Sequence, residues 1–403
     1  MPTTVNDMTI EQVATVLNAI CKQATGQQPT IQVTDTASFV TVAQAVLKTG
    51  YDTVMSAISQ VLSRTIFSIR PYTRKFKGLE VSEQKWGNHV RKLQLIDNEF
   101  ENDQRYTLTD GQSVDQYTIK KPKPVQTNFY GEVTWQDHIT QFKDQIDTAF
   151  SNPSEFASFI SMCMANMNDR MEQAMEEFER SSVANFIGGK ILSGAVGSDV
   201  RYLVSEYNAY AGTSLTKTTV KDPTNWEPFC KWLFGHLKTI ASQMSSRSVK
   251  FHTNLYGKPV MRHTPANNLK MYLFAPVLND ITSSVLSDIY NDELLKLADH
   301  EAVDYWQNID NPDALKLTAS YLVSANGATN GTISSGSVDK TDIFGVMFDS
   351  EAIGTTRANQ WMQATPMNAA GGYYNVYYHM TMRYWNDFME NGVVLILDTA
   401  PTE

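Results

Sequence analysis

Asp299, Glu301 and Asp304 crowd around His300 just past an apolar helical stretch, a set of residue types able to ligate a cation or exchange a proton. A solvated helix end produces the same pattern far more often. His252 and His263 flank a Pro/Gly turn and could meet in space. His89, His138, His236 and His379 each stand without a second His or Cys at the short spacing of a metal site. His379, between Tyr378 and Met380, is read as a satisfied, half-buried side chain. The chain contains no G-x-S-x-G, no G-x-x-x-x-G-K-[ST], no G-x-G-x-x-G after a strand and no H-E-x-x-H. Tyr373-Tyr374, Tyr377-Tyr378 and Tyr384-Trp385 could stack on bases or sugars, but their strict alternation fits a core or a subunit contact better. No catalytic, cofactor-binding or metal-binding residue is therefore assigned, and no cofactor.

Charge gives a more definite signal. Between Arg70 and Lys123 there are 11 Lys or Arg against 8 Asp or Glu, while the residues after Lys123 sum to −12. Opposite charge on separate parts of one chain suits copies that overlap one another. The expected contact runs between Arg74, Lys75, Lys77, Lys85, Arg91 and Lys92 on one copy and Glu172, Glu176 and Glu177 on the next, with Trp86 and other apolar ribbon residues supplying most of the free energy.

The elements that must carry these residues can be read from periodicity. Phe156, Ile160, Cys163, Met167, Met171, Ala174 and Phe178 form one stripe on a helix of period 3.6. Asn152 and Pro153 open that helix and Gly188-Gly189 are expected to close it. At about 1.5 Å per residue it is a rod of roughly 50 Å, apolar on one side, to be laid across a sheet.

Ahead of it, Ile10 to Ala24 and Phe39 to Phe67 read as helices of an arm with too little apolar surface for its own core. Arg91 to Ile96 and Tyr117 to Lys120 alternate as strands of a ribbon that turns at Asp110-Gly111 and ends at Pro122 and Pro124. Phe129 to Trp135 is a further strand. After the long helix, Val200 to Val204, Thr216 to Val220, Leu269 to Phe274 and Leu315 to Val323 read as strands. The stripe from Trp226 to Met244 behind Asn225, and Val277 to Leu297, read as helices. Ser324 to Lys340 reads as a flexible Gly/Ser loop. Tyr374 to Tyr384 and Val393 to Leu397 are expected to supply the sheet beneath the long helix.

Composition bounds the class. With 403 residues, 42% hydrophobic and 11% aromatic, the chain can bury a sizeable core. A net charge of −10 argues against wrapping nucleic acid with its whole surface. Cys21, Cys163 and Cys230 are odd in number and far apart, as for reduced core thiols. No signal peptide and no membrane span is expected.

Taken together, the ribbon, the long helix, the α/β stretch and the terminal aromatic strands resemble the major capsid protein of tailed bacteriophages, in particular short-tailed podoviruses, with the Hong Kong 97-like fold. The matching pieces are Phe129-Tyr130-Gly131 ahead of Asn152-Pro153, the run Lys340 to Asp349, and Tyr373 to His379 through Leu395-Ile396-Leu397.

That resemblance implies an α+β fold with an N-terminal arm (1–69), an extended β-hairpin loop (70–128), a peripheral domain with the spine helix (129–220), an axial domain (221–343) and returning peripheral strands (344–403). It implies a non-enzymatic protein that assembles as hexamers and pentamers into an icosahedral shell around double-stranded DNA. Portal, and scaffold or decoration proteins, are its implied partners. Assembly takes place in the bacterial host cytoplasm, the product is the virion capsid, and no membrane is involved. The alternatives are an encapsulin-like compartment and a cytoplasmic enzyme with an unrecognised site.

Overall fold

The structure is a computed structural model that describes residues 10–401 apart from 27–35, most of 50–73, 82–86, 88, 97–102, single positions between 104 and 122, 151–152, 255–259, 287–299 and 324–330. The side chains of 153–168 also lie outside the description. The chain begins with helices α1 (Ile10–Thr25) and α2 (Thr36–Leu47), then strands β1 (Val90–Ile96), β2 (Lys123–Phe129) and β3 (Gly131–Phe142). Helices α3 (Lys143–Ala149) and α4 (Pro153–Ser193) lead to β4 (Val200–Tyr202), α5 (Leu203–Ala211), α6 (Pro223–Ser245), β5 (Leu269–Phe274), α7 (Ala275–Leu286) and β6 (His300–Val303). Strands β7 (Leu315–Val323), β8 (Thr332–Lys340), β9 (Ile343–Asp349), β10 (Ile353–Ala364), β11 (Tyr373–Asn386) and β12 (Gly392–Ile396) complete it.

Two units emerge, Met1–Gly87 with Glu132–Phe178 and Thr356–Arg383, and Asn88–Gly131 with Glu179–Thr355 and Tyr384–Glu403. In the first, the three-stranded sheet β10-β11-β3 carries α4 on one face. Met175 of α4 meets Met380 and Met382 of β11, with Met171, Phe178 and Trp135 beside them, and Trp135 meets Phe178 edge-on at 5.3 Å. The alternation of β11 thus puts Tyr374, Val376, Met380 and Met382 inward, as its sequence predicts. The arm helices have no core of their own. Leu17, Ile20, Phe39, Val42 and Val46 share one with Ile146, Phe150, Tyr374 and Val376.

In the second unit a mixed sheet runs β4-β12-β9-β5-β6. Strands β9 and β12 are buried at every position, which is why both read as unbroken apolar runs. Helix α6 turns Phe229, Cys230, Leu233, Leu237, Ile240 and Met244 inward. The long helix and the terminal strands therefore involve two sheets, β11 in one and β12 in the other, where the sequence suggested a single one.

Several expectations are corrected. Gly188-Gly189 do not end the long helix, which continues to Ser193. They serve close approach instead: a Cβ on Gly188 would lie 2.7 Å from that of Ala319, and one on Gly189 2.7 Å from the Ser320 carbonyl. An exposed helical Gly→Ala change stabilises by about 1 kcal/mol. Gly189→Ala is expected to reverse that sign and destabilise by about 1–3 kcal/mol in thermal unfolding, because β7 must move. Nor is the back of this helix polar and open throughout, since Glu176, Glu179, Arg180 and Ser182 are buried. Glu179 accepts from the Thr355 hydroxyl at 3.1 Å, and the Arg180 guanidinium lies 3.8 Å over the Tyr305 ring. Buried polar partners, invisible to periodicity, absorb what looked like a solvent face.

Residues 332–340 form a strand where a Gly/Ser loop was expected, because β8 pairs with β7 from Leu315↔Lys340 to Val323↔Thr332 and the long partner overrides weak local propensity. Tyr117 and Ile119 lie outside any strand; the second ribbon strand is β2, and it contains Pro124, paired with Leu95. A two-stranded ribbon leaves one edge of each strand open, where a missing N–H is tolerated. Thr219–Lys221 is a short 3-10 turn where a strand was expected, and Asp222, not Asn225, precedes α6. Helix α2 ends at Leu47 in a turn, with Thr53 and Ala57 helical again beyond it on the way to the expected Phe67, and α7 is described as far as Leu286 of the expected Leu297. Most of the stretch beyond each of these ends, like Asn152, lies outside the described residues.

Candidate interaction surface

The ribbon pairs β1 with β2 from Val90↔Phe129 to Ile96↔Lys123. Alternation gives it two different faces. Lys92 and Gln94 point to the body of their own unit: Lys92 Nζ lies 2.7 Å from Glu390, 3.0 Å from Asp387 and 3.0 Å from Glu351. Gln94 donates to Glu390 at 2.8 Å, and the Arg262 guanidinium donates to the Gln94 side-chain carbonyl. Burial alone would lower the Lys92 pKa, but the Asp387 and Glu390 carboxylates outweigh it and hold the ammonium well above the ordinary lysine value. Val125 of β2 packs on Met389 beside this cluster. Leu93 and Leu95, on the other face, are 62% and 65% exposed.

Beyond this anchored root the ribbon reaches a segment that bears apolar side chains outward. Tyr106 is 89% exposed, Tyr117 81% and Ile119 79%. The bend at Asp110-Gly111 is as expected, with Gln112 N–H donating to Thr109 C=O at 3.0 Å and Gly111 at φ +85°. Charge is divided within the ribbon: residues 97–119 hold six Asp or Glu against one Arg, so the net basic character belongs to the root and the tip is acidic.

In the first unit Arg74 is buried, its side chain inaccessible, between carboxylates of its own chain. It pairs with Glu80 and, at 3.0 Å, with Glu172. Arg357 of β10 closes the set, 2.7 Å from Glu80 and 3.9 Å from Glu172. The Lys75 backbone N–H lies 3.4 Å from the Glu176 carboxylate. The structure thus supplies within one copy the partners that charge counting assigned to a neighbour for Arg74, Lys92, Glu172 and Glu176. Lys77, Arg91 and Glu177 are exposed, and Lys85 and Trp86 lie outside the described residues. Glu80, Arg357, Asp387, Glu390 and Arg262 were missed because no local pattern marks a partner that lies up to 298 positions away.

The residues suspected of chemistry are dispersed. His300 is exposed on β6, Asp304 is exposed and Asp299 lies outside the described residues. His252 is buried and hydrogen-bonded to carbonyl oxygens, whereas His263 lines a surface depression with Arg262 and Glu390. His379 stacks on Trp361 at 3.8 Å, beside a cavity of about 510 Å³ lined by Trp135, Met171 and Met362. Among the described residues no three His, Cys, Asp or Glu are placed to hold a metal ion, and no helix is long and apolar enough to cross a membrane.

A long helix on a three-stranded sheet, a mixed five-stranded sheet and an anchored ribbon together make a fold found in phage capsids. The chain is similar to one in the capsid structure of Staphylococcus phage Andhra, with TM-score 0.53 and 9% identity over 84% of this chain and 87% of that one. It is similarly like a chain in the structure of the head fiber and inner core protein gp22 of bacteriophage P68, with TM-score 0.52 and 9% identity over 83% of this chain and 87% of that one. The chain belongs to the Phi29-like phage major capsid protein family, whose sequence model matches residues 17–396. No curated protein sequence matches it. It is a structural, non-enzymatic protein of the virion capsid that assembles into a multimeric shell.

Proposed function

We propose that this protein is the hexamer- and pentamer-forming subunit of an icosahedral shell of Hong Kong 97-like type, and that its β1–β2 ribbon lies across an adjacent copy. The observation that carries this is the ribbon itself: ion-paired at its root through Lys92 and exposing Leu93, Leu95, Tyr106, Tyr117 and Ile119. Burying five such side chains against a neighbour is worth about 1.5–3 kcal/mol each at full burial, far more than exposed ion pairs at about 0–1 kcal/mol. Exposed Lys77, Arg91 and Glu177, with Lys85 and Trp86, then adjust the fit between copies.

In this reading residues 1–69 are the arm, 70–128 the extended loop, 129–220 and 344–403 the peripheral domain, and 221–343 the axial domain. Packaged double-stranded DNA lies against the inner face without sequence preference. A portal, and scaffold or decoration proteins, complete the particle, which is assembled in the bacterial host cytoplasm. Cryo-electron microscopy of assembled particles tests the ribbon's role: density for its tip, between β1 and β2, is expected over the adjacent copy while the root stays on its own, and a tip that touches no neighbouring copy overturns it.

A further inference from the structure

The −12 summed over the residues after Lys123 conceals a segment of opposite sign. From Tyr207 to Asn279 nine Lys or Arg stand against two Asp or Glu, a net of +7 that leaves −17 for the rest of the chain. Helix α6 and the turn after it carry an accessible part of that charge. Phe229, Leu233, Leu237, Ile240 and Met244 turn inward, so the opposite stripe of the helix faces out, with Lys231 and Lys238 two turns apart on it, about 10 Å along the axis. Arg247 and Lys250 follow, and all four are exposed. From Pro223 to Lys250 the one acidic residue is Glu227, 2.9 Å from Lys231. The Lys238 ammonium stands 4.6 Å over the Phe234 ring, a contact that leaves its charge in place.

The surroundings of these cations point to what they meet. Gly235 sits between Lys231 and Lys238 in mid-helix, where glycine costs stability relative to alanine, yet a Cβ there would meet nothing within 4 Å. Packing within the chain gives no reason for it, in contrast to Gly188 and Gly189. A bare backbone at the centre of an exposed stripe instead lets an outside surface come close to the helix. Thr239, Ser242, Ser245 and Ser246 keep the rest of the stripe short. Among the described residues from Ala211 to Val260 no large apolar side chain is exposed. A contact with protein draws its free energy from such side chains, as the ribbon tip offers them, whereas binding to phosphates draws it from Lys and Arg and the counterions they release.

We propose that the outward stripe of α6 and the turn after it, through Lys231, Lys238, Arg247 and Lys250, is the surface that lies against the phosphate backbone of double-stranded DNA. This names the place of the DNA contact in the shell reading above and rests on that reading. Because the contact is with phosphates, it is indifferent to base sequence and steeply dependent on salt. Four phosphates neutralised correspond to a slope of about −3.6 in log K against log salt, a loss of about a hundredfold between about 50 and 200 mM.

Fluorescence anisotropy of a labelled duplex of arbitrary sequence, titrated with the full-length protein below its assembly concentration, tests this, and sedimentation at higher concentration reports assembly separately. Lys231→Gln, Lys238→Gln, Arg247→Gln and Lys250→Gln combined should unfold as the parent does, form the same particles, and bind the duplex at least tenfold more weakly at low salt with most of the slope lost. Gly235→Glu, which sets a carboxylate in the stripe where no neighbour obstructs it, should weaken binding in the same direction without lowering the melting temperature, and it gives the answer should the fourfold variant not fold. A parent protein that does not bind the duplex, or variants with unchanged affinity and slope, overturns the proposal while leaving the shell reading intact if particles form. Variants that keep DNA binding and lose assembly mark the stripe as a contact between copies and overturn it as well. DNA binding that depends on the stripe in a protein that forms no particles supports the surface and contradicts the shell reading alone.

Discussion

Replacing Arg74 by methionine is expected to destabilise the first unit by about 3–5 kcal/mol, because it removes the cation from a set that leaves Glu80 and Glu172 only 18% and 21% exposed at their side chains. Met fills much of the same volume, so the loss is one of charge and hydrogen bonds rather than of packing. Arg357 remains near both carboxylates and brings the effect toward the lower figure. With roughly 2–4 °C per kcal/mol for a unit of this size, calorimetry should show its transition lowered by about 6–12 °C. Arg74→Lys should lie between the two, since an ammonium keeps the charge but loses the fork that serves two carboxylates at once. An unchanged transition for Arg74→Met would show that the set is not held together by this guanidinium.

The second large effect is on assembly and not on the subunit. Tyr106→Ser, Tyr117→Ser and Ile119→Ser combined should leave the unfolding of the isolated chain within about 0.5 kcal/mol, because all three side chains are some four-fifths exposed or more. If a neighbour covers them, the same change removes roughly 5 kcal/mol from each contact, more than three powers of ten in the concentration needed to assemble. Sedimentation of the variant should then show subunits or small oligomers where the parent gives particles. Normal particles at the same concentration would place the tip outside the contacts that matter.

Much of the architecture was legible because apolar order is local. The unbroken runs of β9 and β12, the alternation of β11 and the stripe of α6 each state their burial in their own residues. What was not legible depends on distant partners. Nothing in Thr332 to Lys340 announces a strand until β7 is set beside it, and Gly188-Gly189 look like a stop until Ala319 and Phe388 crowd them. The charge reading suffered most. A net count cannot tell a cation bound at home, as Arg74 and Lys92 are, from one exposed to a neighbour, as Lys77 and Arg91 are. Summing over the whole ribbon also concealed the acidic tip within a basic total. The apolar part of that contact, in contrast, could be argued from exposure once the strands were placed.

The proposed role of the ribbon comes down to one physical statement: its outward apolar side chains are covered by a second copy. Mass measurement of the purified, intact protein, paired with electron microscopy of the same sample, addresses this most directly. Closed shells, or hexamers and pentamers in exchange with them, are the predicted result. A chain that stays monomeric at high concentration with its ribbon still open to solvent would contradict it.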